Sequence, residues 1–425
     1  MFILFCRFAG AMLAFVTQVL LARWMGATEL GVYVLAFSVC IVFASIASLG
    51  LPSAALRFIG EALARKEYAT ISGYVRYCRQ IVLAVSVLAA AGAAALALSS
   101  TSYATTFLIA MLCIPVFALI RTHDGIAHAF SWMPLAFFPN SVVRPALLLL
   151  FVYGLWLTHT SLNASNVISL HLLILVLVGL AQTVLLNRRL RPIINDVAPS
   201  YDRALWTGAS IPILITVMMN AYLPELSVIL VGLSESADNV AIFNASFRVA
   251  FMIAFGAFAV DAVVMPRVAR LYADGNISAV QTLISRATLL KVAGSMFAVA
   301  LLFLFGRQIL GLFGEEFVVG YRVMMMLALS QLIIALLGPG AAILNVTGHQ
   351  NSCLRVFIVA FVLLLVLNML LVPRFGLPGA AMAIVIVIAV RHVWLNMLVS
   401  KKTGIHPSLL AARNAFPLFA TKTAG

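Results

Sequence analysis

The stretch that decides the fold is residues 80–120, QIVLAVSVLAAAGAAALALSSTSYATTFLIAMLCIPVFALI, which lies between Arg79 and Arg121 and contains no charged residue. A helix of about 20 apolar residues spans the ~30 Å hydrocarbon core of a bilayer, so this gap is wide enough for two crossings joined by a short turn. Residues 145–187 form a second uncharged gap of similar width. Hydrophobic residues make up 64% of the chain and charged residues 9%. The sequence therefore predicts a helical membrane protein.

Apolar runs between polar breaks predict twelve transmembrane helices. They lie at roughly 2–22, 31–56, 80–99, 105–120, 133–157, 166–186, 206–231, 239–265, 287–305, 322–344, 354–373 and 378–399. The longest polar stretch, residues 57–79, is too short to build a soluble core. The first helix starts at Phe2 without a basic leader, so we expect no cleaved signal peptide.

The positions of Lys and Arg predict the orientation, because these residues accumulate in cytoplasmic loops. Of the 27, four fall in one set of alternate loops: Arg23, Arg307, Arg322 and Arg374. Nineteen fall in the opposite set: Arg57, Arg65, Lys66, Arg76, Arg79, Arg121, Arg188, Arg189, Arg191, Arg203, Arg267, Arg270, Arg286, Lys291, Arg355, Lys401, Lys402, Arg413 and Lys422. Both termini are therefore expected in the cytoplasm. This asymmetry and anionic lipid headgroups explain the net charge of +14, and no nucleic-acid partner is expected.

An internal repeat divides the chain at the basic loop 187–203, NRRLRPIINDVAPSYDR. The copies share a Gly, an aromatic residue and a Pro in the same order, at Gly26, Tyr33 and Pro52 and at Gly232, Phe243 and Pro266. Both copies enter the membrane in the same direction, and parallel repeats related by an axis along the membrane normal are a transporter architecture. The expected fold is all-α and polytopic, with two six-helix bundles related by a pseudo-twofold axis normal to the membrane. The expected domains are an N-terminal bundle (1–190), a cytoplasmic linker (191–203), a C-terminal bundle (204–400) and a cytoplasmic tail (401–425).

Several segments resemble a known family. The segment RFAGAMLAFVTQVLLARWMGATELGVYVLAFSV, followed by SLGLPSAALRFIGE, resembles the opening of the polysaccharide transporter family. These are the O-antigen and exopolysaccharide flippases of the multidrug and oligosaccharidyl-lipid exporter superfamily. Further stretches fit the same pattern: VVRPALLLL, ASFRVAFMIAFGAFAVDAVVMPRVARLY and LNMLLVPRFGLPGAAMAIVI. The chain stops shortly after predicted helix 12, whereas some relatives carry two more helices.

The resemblance implies a flippase of the bacterial cytoplasmic (inner) membrane. It would move lipid-linked oligosaccharide or polysaccharide repeat units across that membrane by alternating access, in contact with membrane lipids. Polysaccharide assembly proteins are the implied partners, and proton or sodium coupling is the implied energy source. No cofactor and no enzymatic activity are implied.

Such a substrate carries an anionic phosphate, so ionisable residues within helices are the candidate substrate contacts. Arg248 would lie ~13 Å below the outer surface in predicted helix 8, with Asn244 one turn earlier on the same face. The resemblance places a basic residue at the Arg248 position in a central cavity. An interhelical ion pair or a bond to a backbone carbonyl is the structural alternative. Arg7 and Gln18 share a stripe of the first helix, where Arg7 lines the cavity or reaches the cytoplasmic headgroups.

Two further arginines lie within predicted helices. Arg144 follows Asn140 by one turn and would contact substrate if predicted helix 5 begins near Met133. If residues 131–139 lie along the surface instead, Arg144 is an inner-edge anchor. Arg391 is expected to be an interfacial anchor.

Glu225 and Asp261 are the carboxylates available for coupling, because a carboxylate in low dielectric binds a proton or accepts Na⁺. Their structural alternative is an ion pair with Arg248 or Arg267.

Two other functions stay open. An ion-coupled drug exporter of the same superfamily needs an anionic cavity, which the excess of intramembrane Arg disfavours. A membrane polysaccharide polymerase or ligase needs a large outer loop, and none is predicted. Motifs for ATP hydrolysis or nucleophilic catalysis are absent from the sequence. No metal site is expected, since His123, Asp124 and His128 are interpreted as a solvated turn and the five cysteines have no ligand spacing.

Overall fold

The computed structural model describes residues 2–100, 103–158, 162–194 and 197–409. Within these ranges the chain forms sixteen α-helices, one π-helical turn and one 3-10 helix, and it forms no strand. The α-helices are α1 (Phe2–Ala47), α2 (Leu51–Arg65), α3 (Tyr68–Ser100), α4 (Ala104–Ala129), α5 (Met133–Phe138), α6 (Arg144–Leu157), α7 (Ala164–Ile194), α8 (Arg203–Ala221), α9 (Leu223–Gly232), α10 (Ala237–Phe251), α11 (Ile253–Ala273), α12 (Ile277–Gly311), α13 (Tyr321–Leu337), α14 (Gly340–Val346), α15 (Gln350–Phe375) and α16 (Leu377–Thr403). Eleven helical segments of the described residues are long and apolar enough to span a membrane. The predicted all-α, polytopic fold is confirmed.

The first two predicted helices are joined almost without a loop. Helix α1 is interrupted only at Gly26, whose φ of 78° and ψ of 172° are not helical. Glycine adopts this backbone conformation without the steric cost that a Cβ would add. The turn is held in place by Glu29, whose Oε2 accepts a 2.6 Å hydrogen bond from the backbone N–H of Ala164 at the start of α7. A carboxylate at this position also complements the positive end of the helix.

Four predicted helices are each broken in two. The breaks lie between α1 and α2, at Tyr222, at Met252 and at Gly338–Pro339. Gly50 (φ 73°) and Gly338 (φ 77°) supply left-handed backbone at two of them. The sequence predicts one continuous helix for each of these stretches because their apolar runs are uninterrupted, and a single Gly or Pro does not end an apolar run.

Several helices extend far beyond the apolar runs. Residues 57–79, expected to be a polar connection, are helical except around Lys66, because α2 ends at Arg65 and α3 begins at Tyr68. Lys66 takes a left-handed conformation (φ 58°), and its backbone N–H caps α2 by bonding Ala62 and Leu63 carbonyls. Polar helix ends keep their backbone groups satisfied outside the membrane, so hydrophobicity does not mark where they stop.

The chain divides into two compact units, Met1–Ala241 and Ile242–Gly425. In the first unit α4 packs against α3, α7, α1 and α2, and α8 and α9 pack against α2 and α1. In the second unit α16 packs against α15 and α13, and α12 packs against α11 and α13. The domain boundaries and the symmetry axis expected from the repeat stay predictions. Of the tail expected at 401–425, residues 410–425 lie outside the described part.

Candidate functional site

The first unit is organised around a buried carboxylate, Asp124, in the last third of α4. Asp124 is 9% exposed and accepts two hydrogen bonds from side-chain amides. Gln182 Nε2 on α7 lies 2.7 Å from Asp124 Oδ1, and Asn140 Nδ2 lies 3.2 Å from Oδ2. The guanidinium of Arg121, one turn earlier on α4, lies 3.8 Å from Oδ2. Side chains from α4, from α7 and from the segment that carries Asn140 therefore meet at the carboxylate of Asp124.

The expectation that His123, Asp124 and His128 form a solvated turn is wrong. The α4 helix continues to Ala129, and it buries His123 at 1% exposure and Asp124 beside it. The apolar run ends near residue 120, but the helix adds several further turns whose polar side chains point into the protein. Among the described residues, no group of three or more His, Cys, Asp or Glu side chains could hold a metal ion.

Arg144 lies in an aromatic environment in the same unit. Its guanidinium carbon is 5.5 Å from the centroid of the Phe117 ring and 5.9 Å from that of Phe37. The Phe37 ring stacks on His171 at 4.1 Å, and Tyr33 Oη lies 2.9 Å from His171 Nδ1. Aromatic faces attract a guanidinium without neutralising it. Arg144 Nη1 is buried and has no hydrogen-bond partner among the described residues.

A local irregularity places Asn140 and Arg144. The helix that carries them begins at Met133 and runs through α5, a π-helical turn at Pro139–Val143, and α6. The helix therefore begins at Met133, as the first of the two alternatives for Arg144 requires, and substrate contact by Arg144 stays a prediction. A π-helical turn is frequent at functional sites because its extra residue redirects the side chains. Here the turn carries Asn140 towards Asp124, and Asn140 Oδ1 is left without a partner in the described structure.

The first helix approaches this π-helical turn closely. A Cβ at Gly10 would lie 2.0 Å from the backbone oxygen of Ser141, so only glycine permits this contact. Gln18, two turns further on, is 6% exposed, and its Oε1 has no partner among the described residues. Arg7, near the start of α1, is exposed. The choice between cavity lining and headgroup contact for Arg7 stays a prediction.

In the second unit, Arg248 and Asn244 are paired as the sequence predicts. Arg248 Nε lies 3.4 Å from Asn244 Oδ1, both on α10. Asn244 is 5% exposed and its Nδ2 has no partner in the part of the chain described, while Arg248 is exposed. Arg248 occupies the last turn of α10, just before the break at Met252. A guanidinium and an amide donor are thereby presented side by side.

The two predicted coupling carboxylates have different surroundings. Asp261 Oδ1 lies 2.8 Å from Lys291 Nζ. The expected alternative partners, Arg248 and Arg267, are not the residues that bind it. Lys291 was assigned to a cytoplasmic loop, but it is 5% exposed inside α12, because this helix starts well before its apolar run. Glu225 lies in the first turn of α9, directly after the Tyr222 break.

The ion pair of Asp261 and Lys291 borders a cavity of about 180 Å³. The broken helix at Gly338–Pro339 and His392 also line this cavity. Asn396 Nδ2 donates a 2.9 Å bond to the carbonyl oxygen of Leu337, which the break leaves without a helical partner. Arg391 is 7% exposed with its guanidinium 5.6 Å from the Phe357 ring centroid, so it is buried instead of anchored at an interface.

Sequence reasoning missed Asp124, Gln182, His171 and Lys291. Gln182 and His171 are polar residues inside the uncharged run 145–187, and a polar residue in a membrane helix is itself a signal of function. A search restricted to Lys, Arg, Asp and Glu passes over both residues. Asp124 and Lys291 were assigned to loops because the ends of the helices were placed at the ends of the apolar runs.

The fold is that of a known class of membrane transporters. An inward-facing multidrug resistance MATE family transporter of the MOP superfamily superposes with a TM-score of 0.75 at 15% identity, over 92% of this chain and 96% of the other. The lipid II flippase MurJ in an inward closed conformation superposes with a TM-score of 0.72 at 14% identity, over 93% of this chain and 87% of MurJ. A MOP superfamily transporter from Pyrococcus furiosus gives a TM-score of 0.63 at 16% identity, over 94% and 95% of the two chains. At these identities the likeness establishes the fold alone.

Sequence comparison gives two further matches. Residues 212–370 match the model of the MatE family. The probable low-salt glycan biosynthesis flippase Agl15 of Haloferax volcanii is 26% identical over 175 residues, which cover 40% of this chain. The matched region spans 36% of the length of Agl15, about a third.

Proposed function

We propose that this protein is a flippase that moves lipid-linked oligosaccharide or polysaccharide repeat units across the cytoplasmic membrane by alternating access. The observation that carries the proposal is the environment of Arg144. The Arg144 guanidinium lies beside two aromatic rings, and the same unit holds the Asn140 and Gln182 amides on Asp124, so cationic, apolar and hydrogen-bonding groups occur within one unit. A lipid-linked sugar presents the complementary phosphate, ring faces and hydroxyls.

Unpartnered polar atoms near Arg144 support a polar ligand. Buried polar groups are normally hydrogen-bonded, and each exception calls for an explanation. Arg144 Nη1 offers a donor, and Asn140 Oδ1 and Gln182 Oε1 offer acceptors. Sugar hydroxyls both donate and accept, whereas phosphate oxygens only accept. Hence the guanidinium suits the phosphate and the amide oxygens suit hydroxyls.

The second unit offers another phosphate contact. The exposed guanidinium of Arg248 lies beside Asn244, whose Nδ2 is available as a donor. An arginine fork binds phosphate oxygens in a bidentate manner, which a lysine cannot reproduce. In this proposal Arg7 and Gln18 on α1 line the same pathway as Arg144.

The drug-exporter alternative is less well supported. Export of cationic drugs needs an uncompensated negative charge, and Asp124 is the one Asp or Glu that is buried among the described residues of the first unit. Its oxygens already accept bonds from Gln182 and Asn140 and face Arg121 at 3.8 Å. The name of Agl15 refers to a glycan biosynthesis flippase, which favours a lipid-linked glycan as the substrate.

The short connections between the helices disfavour a polysaccharide polymerase or ligase. The longest connection between consecutive α-helices that lies wholly within the described ranges is residues 312–320, which contains the 3-10 helix. Nine residues could not form a catalytic domain outside the membrane.

Asp261 is the proposed coupling group, with Glu225 as the second candidate. In the cavity beside the Gly338–Pro339 break, Asp261 exchanges its Lys291 partner for a proton or a sodium ion during the transport cycle. Unwound backbone carbonyls and half-helix ends at a broken helix are groups that coordinate coupling ions in transporters.

The function is tested in proteoliposomes that contain a fluorescent polyprenyl-diphosphate oligosaccharide on one leaflet. Wild-type protein is expected to carry the labelled sugar to the other leaflet, where a membrane-impermeant quencher detects it. Arg144→Ala should lower the rate roughly tenfold to hundredfold, since a charge-assisted contact is worth ~1.5–3 kcal/mol. Arg57→Ala is the matched control, because Arg57 is exposed and pairs with Glu61 one turn away.

Two outcomes would refute the proposal. Wild-type protein that moves a cationic dye against a proton gradient, but leaves the labelled lipid in place, would favour drug export. Normal flipping by Arg144→Ala protein would remove the role assigned to Arg144.

A further inference from the structure

An apolar groove of about 430 Å³ runs between α12 and α13 in the second unit, and every residue that lines it is apolar. Both helices belong to segments that are long and apolar enough to span a membrane. On α12 the groove extends from Met296 to Leu304, which is ~12 Å at the rise of an α-helix. Met296, Phe303 and Leu304 are 57%, 67% and 62% exposed, so the groove opens at the surface of the helix pair. Within a bilayer such a surface meets lipid chains, which are as apolar as leucine.

The groove has one positively charged end. Helices α12 and α13 are antiparallel because the short connection 312–320 joins them, so Leu304 and Met325 lie towards the same end of the groove. Arg307 is three residues after Leu304, and Arg322 is three residues before Met325. Residues at this spacing lie on the same side of a helix, and both arginines are exposed. Two guanidinium groups therefore follow the apolar wall at this end.

Tyr321 holds one of these arginines beside the groove. Its Oη donates a 3.0 Å hydrogen bond to the carbonyl oxygen of Phe303, and the guanidinium carbon of Arg307 lies 5.2 Å from the centroid of its ring. An aromatic face attracts a guanidinium without neutralising it. Neither arginine takes part in an ion pair of the described structure, although Glu315 and Glu316 lie in the connection between the two helices. Positive charge is therefore available to a ligand in the groove.

The position of the two arginines in the sequence is itself informative. The charge distribution predicts that Arg307 and Arg322 lie in outer loops, where just four of the 27 Lys and Arg fall. Basic residues are disfavoured on that side of a membrane. The presence of two of the four at one end of an apolar groove indicates a ligand that carries negative charge at that end.

We propose that this groove binds one acyl chain of an anionic phospholipid, with the headgroup phosphate held by Arg307 and Arg322. The apolar wall matches the chain, and arginine forks bind phosphate oxygens in a bidentate manner. Met296 and Met325 contribute flexible side chains that adapt to the shape of the chain. The bound lipid stabilises the pairing of α12 with α13. This site does not depend on the transport function proposed above, because lipid binding is measured without transport.

The test is photolabelling of the purified full-length protein in detergent with phosphatidylglycerol that carries a diazirine in one acyl chain. Mass spectrometry of peptides should place saturable labelling on α12 and α13. Unlabelled phosphatidylglycerol should compete at lower concentration than phosphatidylcholine with the same chains. Arg307→Gln and Arg322→Gln should each weaken the apparent affinity for phosphatidylglycerol about fivefold, and the double variant about thirtyfold, because each basic residue adds a similar attraction to an anionic lipid.

Arg374→Gln is the matched control, because Arg374 is also an exposed arginine predicted in an outer loop, and it lies on α15 and does not line the groove. This variant should bind phosphatidylglycerol like wild type. Without added lipid, the double variant of Arg307 and Arg322 should melt near the wild-type temperature, since exposed side chains add little to stability.

Three outcomes would overturn the proposal. Equal competition by phosphatidylglycerol and phosphatidylcholine would show that the arginines select no headgroup. Labelling spread evenly over the exposed faces of other helices would show that lipid covers the protein without a defined site. Competition by a polyprenyl phosphate, but not by phosphatidylglycerol, would assign the groove to an isoprenoid lipid carrier instead of a phospholipid.

Discussion

Gln182 Nε2 donates a 2.7 Å hydrogen bond to Asp124 Oδ1 and a second, 3.2 Å bond to the carbonyl oxygen of Leu135. One side-chain amide thereby joins α7 to α4 and to α5. Because Asn140 donates to the other oxygen of Asp124, the carboxylate fixes the helix that also carries Arg144. The position of the candidate phosphate contact thus depends on Asp124, a residue to which the proposal gives no substrate contact.

We expect Gln182→Leu to destabilise the protein by ~1.5–3 kcal/mol, because it removes a hydrogen bond to a charged group that stays buried. The measurement is the free energy of unfolding in a denaturing-detergent titration. The control is Asn220→Leu, since Asn220 is exposed and bonds only to a backbone oxygen within its own helix. Equal stability of the two variants would contradict the role assigned to Gln182.

The Lys291–Asp261 pair gives a second prediction. Lys291→Met should destabilise by up to ~3 kcal/mol, because it leaves a largely buried carboxylate without its counter-charge. The value lies at the low end of the range for buried pairs, since the side chain of Asp261 is 29% exposed and solvent screens part of the charge.

Adding Asp261→Leu to Lys291→Met should restore most of that stability, because no unpaired charge then remains in the cavity. If Asp261 is the coupling group, the double variant should be stable and unable to accumulate substrate against a gradient. Additive losses of stability in the two variants would show that the residues do not interact in the folded protein.

The sequence predicts the helices far better than it predicts what interrupts or extends them. Each of the eleven helical segments of the described residues that could span a membrane overlaps a predicted apolar run, because the bilayer imposes a minimum length. The apolar runs contain no information on the Met252 break, where the nearest Gly or Pro is Gly256 in the following turn, nor on the extension of α4 that buries Asp124. Asn244 and Arg248 were paired correctly because their contact lies within one helix turn, whereas the Asp261–Lys291 contact joins two helices and depends on their packing.

The distribution of Lys and Arg predicts that loops after even-numbered predicted helices are cytoplasmic, with both termini on that side. The five cysteines are all free and buried, so a variant without them provides a background for labelling. Single cysteines at Lys66 and Arg189 should be protected from a membrane-impermeant reagent in intact cells, and one at Glu316 should be labelled. All three positions are in the described part and are exposed. The reverse labelling pattern would show that the protein has the opposite orientation in the membrane.

The last prediction concerns Arg248, whose guanidinium is exposed beside a buried asparagine with an available donor. We expect it to bind the phosphate of the lipid carrier. Arg248→Ala should therefore reduce flipping in proteoliposomes roughly tenfold to hundredfold. Arg248→Lys should restore part of the rate, since the charge returns but the planar, bidentate fork does not.

Protein abundance distinguishes this role from a structural one. Arg248→Ala should reach wild-type abundance in the membrane and melt near the wild-type temperature, because an exposed side chain adds little to stability. Arg267→Ala, on the following helix and also exposed, should keep the wild-type flipping rate. Normal flipping per molecule in Arg248→Ala, together with reduced abundance, would assign Arg248 to the folding of α10 and leave Arg144 as the candidate phosphate contact.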